Sequence, residues 1–356
     1  MKRSKSHLLL ITLLLLSLSF TATSAFADCL NAARLTGVNL AGAEFNSSKL
    51  PGVPFKDYTY PTTAELAYIA DQGANVIRLP FRWERVQYQL NGALDPGELK
   101  RLQNTINQAK LEGLCVLLDV HNYATYYGAP ITTPALQDGF IALWKALAAQ
   151  LGPSDFVALG LMNEPAHMPL VEWAALAKRT LSALRTAGVQ NLVVIGGGGW
   201  NGLHSWFNET PNGDSNAKSF ASLSDPLKRT VIEVHQYADS YYSGTGQDCH
   251  PPEHFDSKFA RISQWAKDYK LQLVLGEFGM AATTPCLETQ EHFLQLMQGS
   301  EWKGWTYWAG GSWWGSYPFA LNTNSATPSP QWAHLITYFY RPQAVSKPLP
   351  PEDATQ

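Results

Sequence analysis

Eight short runs of β-branched and aliphatic residues recur along this chain, each parted from the next by a longer stretch, and that alternation restricts the folds open to it. The runs fall at 35–40, 75–79, 115–119, 157–161, 192–195, 231–234, 273–275 and 304–307. Helical periodicity occupies most of the intervals, at 63–72, 96–112, 137–150, 170–187, 254–268 and 288–298, and a last stretch follows at 331–339. Strands alternating with helices form βαβ units and therefore a parallel sheet. The runs are near-continuously apolar, as strands covered on both faces are. Asp95 before Pro96 reads as a helix cap followed by proline at the first helical position. Eight units are more than most open doubly wound sheets hold, so the expectation is a single (β/α)8 TIM barrel over residues 28–342.

In that fold the active site lies at the C-terminal ends of the strands. Here the second run reaches Arg78, the third leads to His121 and Asn122, and the fourth to Asn163 and Glu164. The sixth ends in His235 and Tyr237, the seventh in Glu277 and the eighth in Trp308. Each has an ordinary structural explanation when taken alone: an ion pair, a core histidine, a packed indole, a helix cap. Their arrival together at one face has none, and points to a polar site. Glu164 and Glu277 would face a common centre from the fourth and seventh strands. Two carboxyl groups about 5–5.5 Å apart suit a retaining glycosidase, whereas an inverting one holds them about 6.5–9.5 Å apart. One must stay protonated and the other ionised. Arg78 and a Tyr237 phenol can keep Glu277 ionised, Asn163 can bond a sugar 2-hydroxyl, and the histidines can position hydroxyls.

The motifs Val76-Ile77-Arg78-Leu79-Pro80, Asp119-Val120-His121-Asn122-Tyr123, Leu161-Met162-Asn163-Glu164-Pro165, Val234-His235-Gln236-Tyr237 and Gly276-Glu277-Phe278-Gly279 stand in this order. Together they resemble glycoside hydrolase family 5, the endoglucanase family, from Gly37 to about Tyr340. The stretch from Gly304 through Trp308 to Gly311 further resembles its subgroup of secreted fungal and bacterial cellulases. The resemblance implies a retaining endo-β-1,4-glucanase with Glu164 as acid/base and Glu277 as nucleophile. It places Arg78, His121, Asn122, Asn163, His235, Tyr237 and Trp308 around the sugar being cleaved. Trp200, Trp313 and Trp314 are further candidates for stacking sugars at neighbouring subsites. A β-mannanase, a mixed-linkage β-glucanase and a non-catalytic carbohydrate-binding barrel remain as alternatives. The last predicts loss of one carboxylate, and both are present.

The N-terminus has Lys2, Arg3 and Lys5, an apolar run over 8–20 and Ala25-Phe26-Ala27, which reads as a secretory signal peptide over 1–27. The Pro-containing tail 343–356 is expected to be disordered. Secretion, to the extracellular space or periplasm, makes disulfides the natural state of all four cysteines. Cys249 and Cys286 follow the sixth and seventh strands at the catalytic face, while Cys29 and Cys115 belong to the opposite end. A disulfide cannot span the barrel height, so Cys249–Cys286 and Cys29–Cys115 are the expected pairs. The net charge of −3 gives no reason to expect nucleic acid or, after signal cleavage, a membrane partner. Twelve tryptophans suit a β-glucan polysaccharide, whose apolar sugar faces stack on indole. No Cys-x-x-Cys, no His-Glu-x-x-His and no dinucleotide fingerprint at Gly196–Gly199 occurs, so no metal and no cofactor is expected. A monomer is expected.

Overall fold

The computed structural model describes residues 28–152, 155–323 and 327–341; the expected signal peptide and the expected tail lie outside them. Eight parallel strands close into a barrel: β1 (Leu35–Leu40), β2 (Val76–Phe81), β3 (Cys115–Val120), β4 (Val157–Gly160), β5 (Val193–Gly196), β6 (Thr230–His235), β7 (Gln272–Glu277) and β8 (Trp302–Gly310). Each pairs with its sequence neighbours, and β8 closes on β1. The surrounding helices are α1 (Thr63–Gln72), α2 (Pro96–Leu111), α3 (Pro134–Gln150), α4 (Leu170–Thr186), α5 (Asn216–Phe220), α6 (Asp256–Tyr269), α7 (Thr284–Leu296) and α8 (Pro330–Tyr338).

Local chemistry explains most of the boundaries. Thr62 and Glu65 form a reciprocal capping box at the start of α1, and Gly73 ends it in the left-handed conformation with φ 106°. Asp95 caps α2 by accepting from the Glu98 amide. Helices α3 and α7 start three and four residues earlier than expected, because Pro134 and Pro285 occupy their first turns, where a missing N–H does no harm. The interval between β5 and β6 holds only the short α5. A 3-10 turn at Pro252–Phe255 precedes α6.

Inside the barrel the side chains are layered. Leu35, Val76, Leu117, Ala158, Val194, Val231 and Val274 make an apolar floor. Two residues further along each strand, on the same face, stand Gly37, Arg78, Asp119, Gly160, Gly196, Glu233 and Gly276. Three large charged side chains thus share a layer with four glycines. Gly276 leaves room for one of them: a Cβ there would stand 1.9 Å from Glu233 Oε1. Cys29 and Leu30 pack against the floor, and disulfide Cys29–Cys115 ties this segment to β3. Cys249–Cys286 joins the loop after β6 to α7. Both bonds have Cα atoms 5.3 Å apart. Among the described residues no helix is long and apolar enough to cross a membrane.

Candidate active site

Arg78 is the hub of the charged layer and is completely buried. Its Nη1 donates to Glu277 Oε1 at 2.8 Å and Asn39 Oδ1 at 2.9 Å, and its Nη2 to Asn163 Oδ1 at 2.8 Å. It also stands at ion-pair distance from Asp119, 3.2 Å, and Glu233, 3.0 Å. A buried guanidinium needs such company, since removing one partner of a buried pair typically destabilises by about 3–5 kcal/mol.

Above this layer sit the strand-end groups. Glu277, the last residue of β7, is buried and accepts from Arg78 on one oxygen and from the Tyr237 hydroxyl on the other at 2.8 Å. Burial pushes its carboxyl above the ordinary range, and His235 and Arg78 pull against that rise. Glu164 is the more open of the two carboxylates, with its side chain 16% exposed. Its backbone adopts φ 42°, left-handed for a residue with a Cβ. Such strain gathers at functional sites, and Tyr123, Trp200 and Tyr242 share it on the same cleft.

His235 links the two carboxylates. Its Nδ1 is 2.8 Å from Glu164 Oε1 and 3.5 Å from Glu277 Oε2, and its Nε2 is 3.2 Å from Glu233. Burial works against its proton, but Glu277 and hydrogen bonds to Glu164 and Glu233 prevail and push the imidazole up to about 10. His121 behaves oppositely. Burial drives it well below its ordinary value, so it is a neutral ring. Its Nδ1 lies 2.7 Å from Asp119, which leaves Nε2 to accept from Asn163 Nδ2 at 3.2 Å and the Tyr123 hydroxyl at 3.1 Å. Trp308 lies stacked on the His121 ring, centroids 5.5 Å apart.

The structure therefore brings Arg78, His121, Asn163, Glu164, His235, Tyr237, Glu277 and Trp308 together. Asn122 is not among them, contrary to expectation. It is fully buried, its amide donates to Glu84 and the Thr125 carbonyl, and its oxygen accepts from the Trp83 amide. It anchors the one-turn helix Trp83–Val86, not a ligand. Trp314 is largely engaged in packing, edge-on to Trp308 and Phe45 and stacked on Tyr317. Trp313 is 39% exposed, and Trp200 is 54% exposed.

Trp200 borders a cavity of about 900 Å³ beside Glu164, with Tyr123 and His167 next to it and His204, Tyr241 and Tyr242 also in the lining. Several of these residues escaped the sequence reading because they stand on loops without periodicity. Asp119 and Glu233 were not singled out either, although a signal for them was present. Each precedes a strand-end histidine by two residues, the spacing that puts both on one face of a strand.

Among the described residues, Glu164, His235 and Glu277 form the one group of potential metal ligands, with donor atoms within 4.8 Å of one another. Arg78 and Tyr237 already occupy both oxygens of Glu277, and the charged His235 repels a cation. The set suits proton transfer and nucleophilic attack better than metal binding.

A closed barrel with two carboxylates converging from β4 and β7 on a charged imidazole defines the class: a (β/α)8-barrel glycoside hydrolase. The model of the cellulase family, glycosyl hydrolase family 5, matches residues 38–312. The chain belongs to that family. It is 30% identical over 289 residues to a probable endo-β-1,4-glucanase B of Aspergillus oryzae, covering 80% of this chain and 84% of that one. Among solved structures, XacCel5A in complex with cellopentaose is 41% identical with TM-score 0.82, covering 86% of this chain and 99% of that one. The endo-β-1,4-glucanase Xac0029 of Xanthomonas axonopodis pv. citri is 38% identical with TM-score 0.83, covering 86% and 98%.

Proposed function

We propose that the protein is a retaining endo-β-1,4-glucanase, in which Glu277 is the nucleophile and Glu164 the acid and then the base. The observation that carries the mechanism is spacing: oxygens of Glu164 and Glu277 lie within 4.8 Å of each other. Such an approach suits the close pair of a retaining enzyme, about 5–5.5 Å apart, better than the roughly 6.5–9.5 Å of an inverting one. Relatives named as endo-β-1,4-glucanases, and the complex of XacCel5A with cellopentaose, support a β-1,4-glucan as substrate.

The chemistry runs in two displacements. Glu277, held between Arg78 and Tyr237, attacks the anomeric carbon while Glu164 gives its proton to the departing glycosidic oxygen. A glycosyl ester on Glu277 results. Glu164, now a carboxylate, takes a proton from water, which attacks the same carbon and frees Glu277. Asn163 has an amide hydrogen to offer the sugar 2-hydroxyl, a bond that strengthens in the oxocarbenium-like transition state. Because the acid stands next to the leaving group, the cavity beside Glu164 receives the departing chain, with Trp200 as a stacking surface. We place the enzyme outside the cytosol, a reading supported by the N-terminal sequence and the two disulfides.

Reducing-sugar release from carboxymethyl-cellulose, barley mixed-linkage glucan and galactomannan tests this, with wild type beside E277Q. The expected result is release from carboxymethyl-cellulose that falls at least about 10³-fold in E277Q. Release from galactomannan alone would move the substrate to mannan, and undiminished turnover by E277Q would remove the nucleophile.

A further inference from the structure

Two carboxylates of the charged layer have no part in bond cleavage as described above, and one of them is placed to act on it. Glu233 is 1% exposed. Its Oε1 lies 3.0 Å from Arg78 Nε and 3.2 Å from His235 Nε2. The far ends of those two cations reach the reacting carboxylates: Arg78 Nη1 is 2.8 Å from Glu277, and His235 Nδ1 is 2.8 Å from Glu164. One oxygen atom thus stands behind both. Gly276 keeps the space clear, since a side chain there would collide with Glu233. Asp119, the other carboxylate of the layer, contacts Arg78 and His121 but neither Glu164 nor its imidazole partner.

We propose that Glu233 is a positioning residue of the reaction, holding Arg78 and His235 so that one supports the nucleophile and the other leaves the acid's proton free for the leaving group. The inference rests on the roles given to Glu164 and Glu277.

Hydrogen-bond direction supplies the reason. With a carboxylate at Nε2, His235 must donate there. As the doubly protonated ring it also donates through Nδ1, so Glu164 accepts on Oε1 and its other oxygen is the one free to carry the proton that the leaving group takes. Were His235 neutral with a bare Nδ1, that nitrogen would draw the Glu164 proton into a hydrogen bond and away from the glycosidic oxygen. The groups facing His235 are Glu164 after β4, Glu277 on β7, Arg78 on β2 and Asp119 and His121 on and after β3, besides Glu233 on its own strand. Arg78 and the His235 charge hold Glu233 itself below its ordinary range although burial opposes them.

The test is E233Q, which keeps the shape and removes the charge. Taking away an anion weakens proton binding by every neighbour, so the alkaline limb of kcat should move to lower pH whichever group releases the proton. We expect a shift of about one pH unit or more, with kcat lowered roughly 10–100-fold, as for other groups that orient a reacting residue, and KM within about twofold. E233D retains the charge but withdraws it by one methylene. It should lower kcat about tenfold and leave the limb in place, and it carries the test if E233Q does not fold. An E233Q enzyme with the wild-type limb and near-wild-type kcat would overturn the proposal. So would a limb that moves equally in both variants, or unchanged kcat in E233D where that variant alone folds. If E277Q and E164Q stay active, the catalytic reading itself has failed; if they are dead and E233Q keeps the wild-type profile, only the role of Glu233 has.

Discussion

Strands β3 and β6 carry the same device and obtain opposite results from it. Each sets a carboxylate two residues before a strand-end histidine: Asp119 before His121, Glu233 before His235. In both pairs an oxygen meets a ring nitrogen, at 2.7 Å and 3.2 Å. Yet His121 is driven well below its ordinary value and is neutral, while His235 is pushed up to about 10 and is charged. The shorter contact belongs to the neutral ring, and burial pushes Asp119 up to about 7 while Arg78 and the His235 charge hold Glu233 low, so the distance to the adjacent carboxyl does not decide the matter. The remaining neighbours do. His235 stands between Glu164 and Glu277, whereas the second nitrogen of His121 faces Asn163 and Tyr123, with Arg78 and Arg82 opposing a charge. A motif fixes which nitrogen donates; the far side of the ring fixes whether a second proton stays.

Replacing the rings one at a time should separate them most strongly. H235Q removes a cation from between the two carboxylates proposed to react, and losing a preorganised electrostatic partner of that kind lowers kcat about 10²–10³-fold. H121Q exchanges a neutral ring for a neutral amide and should lose no more than about tenfold, the scale of one uncharged hydrogen bond. Equal losses in initial-rate kinetics would erase the distinction.

Stability against pH should show the same contrast more faintly. His235 binds its proton more tightly folded than unfolded, since its value is raised from an ordinary 6.5 to about 10. Its contribution is therefore fully present below about pH 6.5 and declines as pH rises through about 10. His121, lowered by burial, has the opposite sign: folding excludes its proton, so its contribution is lost on acidification below its ordinary value. Urea unfolding of H235Q should lack the alkaline decline that wild type shows between pH 7 and 10. An undiminished decline in H235Q would assign it to another group.

Much of this was legible in the sequence, for identifiable reasons. A buried parallel strand is a continuous apolar run, so its polar terminus stands out. His121, Glu164, His235 and Glu277 were visible in that way, whereas Arg78 stands inside β2. Asn122 misled because it also follows a strand; the chain has already turned there, and its amide is spent on Glu84 and Trp83. Glu233 and Asp119 lie within their strands, where a charge reads as an interruption and not as a layer. Tyr241, 89% exposed on the rim of the cleft, belongs to a loop whose path no periodicity records.

The account stands on two carboxylates whose close approach suits a covalent intermediate better than attack by an intervening water. Proton NMR of the first sugar released from a cello-oligosaccharide, recorded before mutarotation, tests that directly. Double displacement through Glu277 predicts the β-anomer as the initial product. An initial α-anomer would mean single displacement by water, and would contradict the assignment of Glu277 as nucleophile.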